Sequence, residues 1–349
     1  MPDGVFRAAH SHTPARYSDI AEFTLHFYPH IGRVTKPQNH SCASTSWFMA
    51  FDPGIIKSDQ DIPYITRDTH LFQNQTEWSD IMPAVYAHDR FGKIVSEQVQ
   101  GNLHEFIEKN YTQFEIGLQG PDIFFFYLFN TPNRIVKYGS HLHHISAMPF
   151  FRNAVRVVRK KGRESREYAY LLGFLCHFTL DSECHPYVEE MIQKTGVQHL
   201  EIEEEFEKLL LRMDQEDPFS YPMGDLIPTD EDTVQAIRPF YRTDPDSPIT
   251  RKIIRVSLQD MKTIKRFFTA PQSWKYHTVN TLLKATGKYP YLKGLLHQRT
   301  DNPLCTDSND GLIQRFDDAV PIAVHLMEQM DTCIRTGKEL PERFDRTFE

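Results

Sequence analysis

Imidazole and carboxylate side chains with helical spacing are concentrated in one apolar stretch of the chain. Residues 170–187 read YLLGFLCHFTLDSECHPY, a run of helical length that carries His177, Asp181 and His185. Residues four apart lie on the same face of a helix, so His177 and Asp181 are expected to point the same way. Side chains of these types, close to the end of a buried helix, form either a hydrogen-bonded polar cluster or a metal site.

Two further residues in this stretch bear on its geometry. Gly173 lies one turn before His177 on the same face and leaves room for a neighbouring group to approach. Pro186 is expected to end the helix just after His185, because proline lacks a backbone donor and clashes with the preceding turn.

Other parts of the chain supply more side chains of the same chemistry. They are His88, Asp122, His143, His199 and Glu203. Singly each has a simpler explanation: His199 and Glu203 are four apart on a Glu-rich helix, and Asp122 could cap the turn after Gly-Pro. Together the eight are nitrogen and oxygen ligands of the kind that zinc takes, and they exceed what one zinc ion needs. They therefore predict a cluster of two or three ions with a bridging carboxylate.

The composition excludes some classes of protein. The chain has 349 residues, 40% hydrophobic and 25% charged, which is ordinary for a globular protein, and its net charge of −8 argues against nucleic acid as the main partner. The five cysteines show no CxxC spacing, and the sequence has neither an apolar signal segment nor a run long enough to span a membrane. We therefore expect a soluble, cytoplasmic protein.

The elements that position these residues are predicted to be helices. Residues 1–81 show no helix-length periodicity and are interpreted as a weakly structured extension, whereas 82–349 is predicted to be one helical domain. Alternating β-branched sequence is scarce, so the predicted class is all-α. Helical patterns are expected over the following ranges: 93–114, 139–158, 198–213, 231–241, 249–268, 272–286 and 310–336.

Several of these segments resemble the zinc-dependent phospholipase C family in its short bacterial form. The motifs are MPAVYAHDRFG (82–92), GLQGPDIFFFY (117–127), GSHLHH with FF following (139–151), and LLGFLCHFTLDSECHPY followed by His199-x-x-x-Glu203. The resemblance implies a multi-helix bundle around a trinuclear zinc centre, a fold shared with single-strand nucleases of the S1 and P1 type.

The resemblance also implies which residues hold each ion. One zinc would be held by Asp122, His143, His177 and Asp181. A second would be held by His185, His199 and Glu203, and a third would share Asp181 and take His88. In the family the carboxylate at Asp122 positions or deprotonates the attacking water, so Asp122 is the predicted catalytic residue.

Three features depart from the family pattern. The gap from Asp181 to His185 is shorter than in secreted relatives. The GSHLHH motif offers His141, His143 and His144, of which His143 is preferred by its offset to Phe150–Phe151.

The third departure is at the N-terminus. Secreted relatives complete the third site with the amine of their first residue, which an extension would remove. We therefore expect 1–81 to be either a mis-assigned start or a segment removed by processing.

The expected function is that of a zinc-dependent phosphoric ester hydrolase. It would cleave a phospholipid or a small phosphodiester with metal-activated water and touch a membrane surface transiently. The alternatives are a single-strand nuclease-like phosphodiesterase and a non-catalytic zinc- or lipid-binding module. The aromatic run Phe124–Tyr127 could line a head-group site, although plain core packing explains it as well. The sequence does not indicate an oligomeric state.

Overall fold

A computed structural model describes residues 84–129, 131–242 and 247–349. These residues form helices joined by short connections, and no β-strand occurs among them. The predicted all-α class is confirmed. The predicted extension 1–81 lies outside the described residues, and its boundary with the helical domain stays a prediction.

The helices are numbered in chain order. The α-helices are α1 (Val85–Gln98), α2 (Asn102–Lys109), α3 (Tyr111–Gly117), α4 (Arg134–His144), α5 (Met148–Lys161), α6 (Arg166–Thr195), α7 (His199–Met213), α8 (Glu231–Arg242), α9 (Arg251–Phe268), α10 (Ser273–Ala285), α11 (Tyr289–Leu292) and α12 (Thr306–Thr336). Short 3-10 helices span Gly120–Phe126, Met223–Leu226, Lys293–Leu295, Pro303–Cys305 and Glu342–Asp345.

Helix α6 is the central element. It is 30 residues long, and residues 167–182 are all buried, as expected of a helix that is surrounded by others. Helices α1, α3, α5, α8 and α12 all pack against it. It ends at Gly196, which adopts the left-handed conformation that glycine favours at this position and donates its N–H to the carbonyl of Ile192.

The expectation that Pro186 ends this helix is wrong. Helix α6 continues through the proline for nine more residues to Thr195. An interior proline costs about 3 kcal/mol because it removes one hydrogen bond and crowds the preceding turn. Val188 and Met191, beyond the proline, are buried, and their packing offsets that cost. His185 therefore lies within the helix and not at its end.

Two predicted helices are broken in the structure. The segment predicted as one helix over 93–114 contains parts of α1, α2 and α3, with a break at Gly101, where φ is +67°. The segment predicted over 139–158 is divided between α4 and α5, and Pro149 lies in the first turn of α5, where its missing N–H is not needed.

Helix α3 approaches α6 through two glycines. A Cβ atom on Gly173 would lie 2.1 Å from the carbonyl oxygen of Phe114 and 2.9 Å from Cα of Gly117. The neighbouring group for which Gly173 leaves room is therefore the backbone of α3. This contact also holds the 3-10 helix Gly120–Phe126, which follows α3, beside the middle of α6.

The described cysteines are all unpaired and buried, namely Cys176, Cys184, Cys305 and Cys333. Among the described helices, none combines the length and the apolar character that crossing a membrane requires.

Candidate metal centre

Helix α6 contributes three of the predicted ligands, spaced four residues apart along one face. Asp181 lies between the other two: its Oδ2 is 2.9 Å from Nε2 of His177, and its Oδ1 is 3.7 Å from Nε2 of His185. All three side chains are carried by the same regular backbone, because the helix includes His177, Asp181 and His185 and continues to Thr195.

The first group of ligands lies between α6, α4 and the 3-10 helix Gly120–Phe126. Oδ1 of Asp122 is 2.9 Å from Nε2 of His143 and 3.8 Å from Nε2 of His177. Nδ1 of His143 contacts the carbonyl oxygen of Gly139 at 2.8 Å, which orients the ring so that Nε2 faces the carboxylate.

Gly120 permits this close arrangement. Its φ is +47°, and an added Cβ would lie 2.0 Å from the ring of His177. Only glycine fits at this turn, because both the backbone conformation and the space exclude a side chain.

The second group consists of His185 together with two residues of α7. Nε2 of His199 is 3.1 Å from Oε1 of Glu203, and Nε2 of His185 is 3.7 Å from the same oxygen. His199 is the first residue of α7 and Glu203 follows one turn later, as the sequence spacing predicts.

The third group combines α1 with α6. Nε2 of His88 is 3.3 Å from Oδ1 of Asp181, and the rings of His88 and His177 are 4.5 Å apart. The structure adds His177 to this group, which the sequence interpretation had limited to His88 and Asp181. The potential ligand atoms within each of the three groups lie within 4.8 Å of one another.

The chemistry of these groups fits a cation. Seven of the eight side chains are buried, and His199 is partly exposed. Nε2 of His177 and Oδ2 of Asp181 are 2.9 Å apart and yet neither makes a hydrogen bond; Oε2 of Glu203 is also buried without a partner. Buried polar atoms are normally paired. Lone pairs that converge without bonding each other are the arrangement that a metal ion satisfies.

The electrostatics of the groups also favour a cation. Burial acts to raise the pKa of Glu203, but His199 and His185 lower it to about 2, and burial lowers the pKa of His88 to about 4. Burial acts to lower the pKa of His199, but Glu203 and Glu189 raise it to about 10. The carboxylate of Glu203 therefore stays ionised, and a metal ion that binds His199 must displace its proton.

The structure separates the three histidines of the GSHLHH motif. His143 is buried in the first group, whereas His141 and His144 are exposed, and His144 pairs with the carboxylate of Glu349. The ligand role of His143 stays a prediction, but the structure brings only this one of the three to Asp122.

The aromatic run after Asp122 is part of the core. Phe124, Phe125 and Phe126 are all buried. The ring of Phe124 packs against Tyr241, and the ring of Phe125 stacks on His143 with centroids 5.1 Å apart. These buried residues pack against the candidate metal centre and do not form an open wall for a head group.

Two residues near the centre were missed by sequence reasoning. Phe348 is buried, its ring is 5.8 Å from that of His177, and its N–H donates to the carbonyl of His143. Lys265 of α9 is buried, and burial lowers its pKa against the opposing charges of Glu207, Glu203 and Asp122. Lys265 follows Lys262 in a basic helix and Phe348 is the penultimate residue, so neither has a local signal.

Comparison with known proteins adds an independent finding. The family model described as zinc dependent phospholipase C matches residues 87–267, a region that contains all eight predicted ligands. No curated protein and no solved structure matches the chain. The matched region is more than half of the 349 residues. The chain therefore belongs to the zinc-dependent phospholipase C family.

Proposed function

We propose that this chain is a hydrolase that cleaves a phosphate ester, in a phospholipid or a soluble phosphodiester, with two to three zinc ions per chain. One observation carries the proposal. Asp181 lies within 3.7 Å of three histidines from α1 and α6, and together with His177 it connects three groups of buried ligand atoms. A cluster of this kind, in a zinc-dependent family, supports phosphate ester hydrolysis.

The proposed division of the ligands among the ions follows the family resemblance, and the three groups in the structure are compatible with it. The ions would be held by Asp122, His143, His177 and Asp181; by His185, His199 and Glu203; and by His88 and Asp181 with His177 close by. Zinc at such positions supplies Lewis acidity, which activates water and neutralises charge on the phosphate oxygens.

Asp122 is assigned the role of proton acceptor. Its Oδ1 faces the imidazoles of His143 and His177, so Oδ2 is the oxygen that takes the proton from the attacking water. The backbone carbonyl of Gly139 accepts from Nδ1–H of His143, which turns Nε2 of this ring toward the Asp122 carboxylate.

Asp122→Asn tests this role. The amide keeps an oxygen that can contact the imidazoles but accepts a proton poorly. We expect activity to fall by about 10²–10⁴-fold, the range typical of a lost general base, with most of the zinc retained. Full activity at full zinc content would remove Asp122 from the mechanism.

The zinc content is the first measurement to make. Elemental analysis of the purified full-length chain is expected to find two to three zinc ions. A chain without tightly bound metal would end the hydrolase proposal. Asp181→Ala should lower both zinc content and activity, because it removes the carboxylate that two of the proposed ions would share; Asp318→Ala, on the exposed side of α12, serves as the control.

A substrate screen then separates the remaining classes. The zinc-loaded chain is assayed on a choline phospholipid, a generic soluble phosphodiester and single-stranded DNA. Hydrolysis of the phospholipid supports the lipase, and selective hydrolysis of DNA indicates the nuclease-like alternative. A chain that keeps its zinc but cleaves none of the three is a binding module.

A further inference from the structure

The stretch 269–300 has an unusual charge. It contains no Asp or Glu, yet it carries Lys275, Lys284, Lys288, Lys293 and Arg299. The whole chain has a net charge of −8, so the charge of this stretch is opposite in sign to that of the chain. A local basic surface on an acidic protein is an indication of an anionic partner.

Helix α10, which begins this stretch, packs weakly against the rest of the described chain. Of its 13 residues only Val279, Asn280 and Leu283 are buried. Trp274 is 58% exposed and Leu282 is 50% exposed, and both lie on the outward half of the helix, about 80° apart around its axis.

The connection that follows α10 continues this surface. Tyr291, in α11, is 38% exposed. The ammonium group of Lys284 lies 4.8 Å from the ring centre of Tyr289. Lys293 forms an ion pair with Glu201 of α7 at 2.6 Å, so it contributes less to the charge of the surface.

The kinds of residue on this surface are those of a lipid interface. Trp and Tyr are enriched where a protein meets lipid head groups, because their rings are apolar and their polar atoms reach water. Lysines can lay their methylene chains along apolar surface and place the charge among phosphates. Binding of nucleic acid depends mainly on contacts between basic side chains and phosphates, to which an exposed leucine does not contribute.

The two ends of this stretch meet at a small recess. Thr269 and Ala270 at one end, and Leu296 and His297 at the other, line this recess together with Lys265. Glu207 also lines it, and Glu207 lies one turn after Glu203 in α7, so the recess adjoins the helix that carries this predicted ligand.

We propose that α10 and α11 form a docking surface for an anionic phospholipid bilayer, with Trp274, Leu282 and Tyr291 inserted at the head-group level and Lys284 among the lipid phosphates. This inference rests on the proposed lipid substrate for its purpose. It is tested by binding, which does not depend on turnover.

The test uses sedimentation of the zinc-loaded full-length chain with vesicles. One set is phosphatidylcholine alone and the other is an equal mixture of phosphatidylcholine and phosphatidylglycerol. The chain is expected to bind the mixed vesicles more tightly and to lose affinity as salt screens the lysines. Lys284→Glu should weaken binding by at least about fivefold and Leu282→Ala by about threefold to tenfold.

Matched controls use residues of the same type outside this surface. Leu304→Ala removes a leucine that is 57% exposed, and Lys338→Glu reverses the charge of an exposed lysine after α12. Both should bind like the parent chain. Hydrolysis of a soluble phosphodiester should be unchanged in all four variants, which shows that each is folded and retains its metal centre.

The outcomes are distinct. Absence of binding to mixed vesicles, or equal loss in variants and controls, overturns the docking proposal and leaves phosphodiester hydrolysis as a separate result. Vesicle binding without any hydrolysis keeps the docking surface and rejects the hydrolase. Binding of a single-stranded DNA oligonucleotide that is weakened by Lys284→Glu but not by Leu282→Ala would identify a nucleic-acid surface instead.

Discussion

The pair formed by His177 and Asp181 can be explained in two ways at the residue scale. From the sequence alone, a satisfied polar pair inside the core and a pair of metal ligands are both consistent with four-residue spacing. The structure favours ligands, because the two facing atoms are 2.9 Å apart without a hydrogen bond and Asp181 has two more histidines nearby. A core pair would normally form the bond that its distance allows.

The GSHLHH motif provides a residue-scale prediction with an internal control. His143→Ala removes a buried nitrogen that lies 2.9 Å from Asp122, whereas His141→Ala removes an exposed one. Mutation of a residue that only hydrogen-bonds to a metal ligand typically lowers metal affinity by roughly 10–100-fold. We expect His143→Ala, which removes a predicted ligand itself, to lower the affinity for one zinc ion by more than this. Competition with a zinc chelator measures this affinity. An equal effect of the two variants would contradict the assignment.

At the scale of elements, the length of α6 matters most. The three predicted ligands of this helix share a face because they are spaced four residues apart, and the helix continues beyond them through Pro186. Local rules for proline predict an end, and they fail here because the buried residues on the far side offset the lost hydrogen bond.

The contact between α3 and α6 leads to a second prediction. Gly173→Ala would place a methyl group 2.1 Å from the carbonyl oxygen of Phe114, a backbone atom that cannot rotate away. Overpacking of this kind costs about 1–3 kcal/mol or more of unfolding free energy. Urea denaturation measures the loss. Glu190→Ala, exposed on the same helix, should change stability by less than about 0.5 kcal/mol. If the two variants were equally stable, α3 and α6 could move apart to accommodate the methyl group at little cost in free energy.

The end of the 3-10 helix Gly120–Phe126 is tied to α9 by a carboxylate, which gives a pH-dependent prediction. Oδ2 of Asp260 accepts a hydrogen bond from the N–H of Leu128 at 3.0 Å, and burial raises the pKa of Asp260 to about 6. A raised carboxyl pKa stabilises the fold below the unfolded pKa near 4, and this stability is lost as pH rises through 6.

The unfolding free energy of the Asp260→Asn variant should therefore depend less on pH than that of the parent chain. The difference in unfolding free energy between the two should change by roughly 1–2 kcal/mol from pH 4 to pH 8, a value reduced for partial solvent exposure. Chemical denaturation across this range measures it. Asp318→Asn, on an exposed surface of α12, should follow the parent chain. If the difference in unfolding free energy between the parent chain and Asp260→Asn were the same at every pH, the pKa of Asp260 would not be raised by folding.

At the scale of the whole described domain, the C-terminal segment packs against the candidate metal centre. Phe344 and Phe348 are buried, and the backbone of this segment bonds to Ala147 and His143. The ring of Phe348 contacts the predicted ligands His143 and His177, which lie far earlier in the sequence.

Phe348→Ala should therefore loosen both the fold and the metal centre. Loss of a buried phenylalanine costs about 3 kcal/mol or more of stability, and the cavity would lie beside the rings of His143 and His177. We expect a lower melting temperature and faster loss of zinc to a chelator. Thr347→Ala is the neighbouring control. Unchanged zinc release in Phe348→Ala would mean that the segment stabilises the fold without supporting the ligands.

Much of the fold and of the candidate site could be predicted from the sequence. The all-α class, the shared face of His177 and Asp181, and the pairing of His199 with Glu203 follow from helical periodicity, which depends on neighbours along the chain. Lys265 could not be recognised, because burial of a basic residue in a basic helix depends on what packs over it.

By itself, the sequence determined the ligand types and their local spacing, because side-chain chemistry and helix geometry are properties of short segments. Only the tertiary structure decided how the eight residues divide into three groups, which histidine of GSHLHH faces Asp122, and how far α6 continues beyond Pro186. Each of these depends on burial and on contacts between distant segments. Packing between distant segments can offset a local cost such as that of a proline. A short window of sequence does not contain both sides of such a contact.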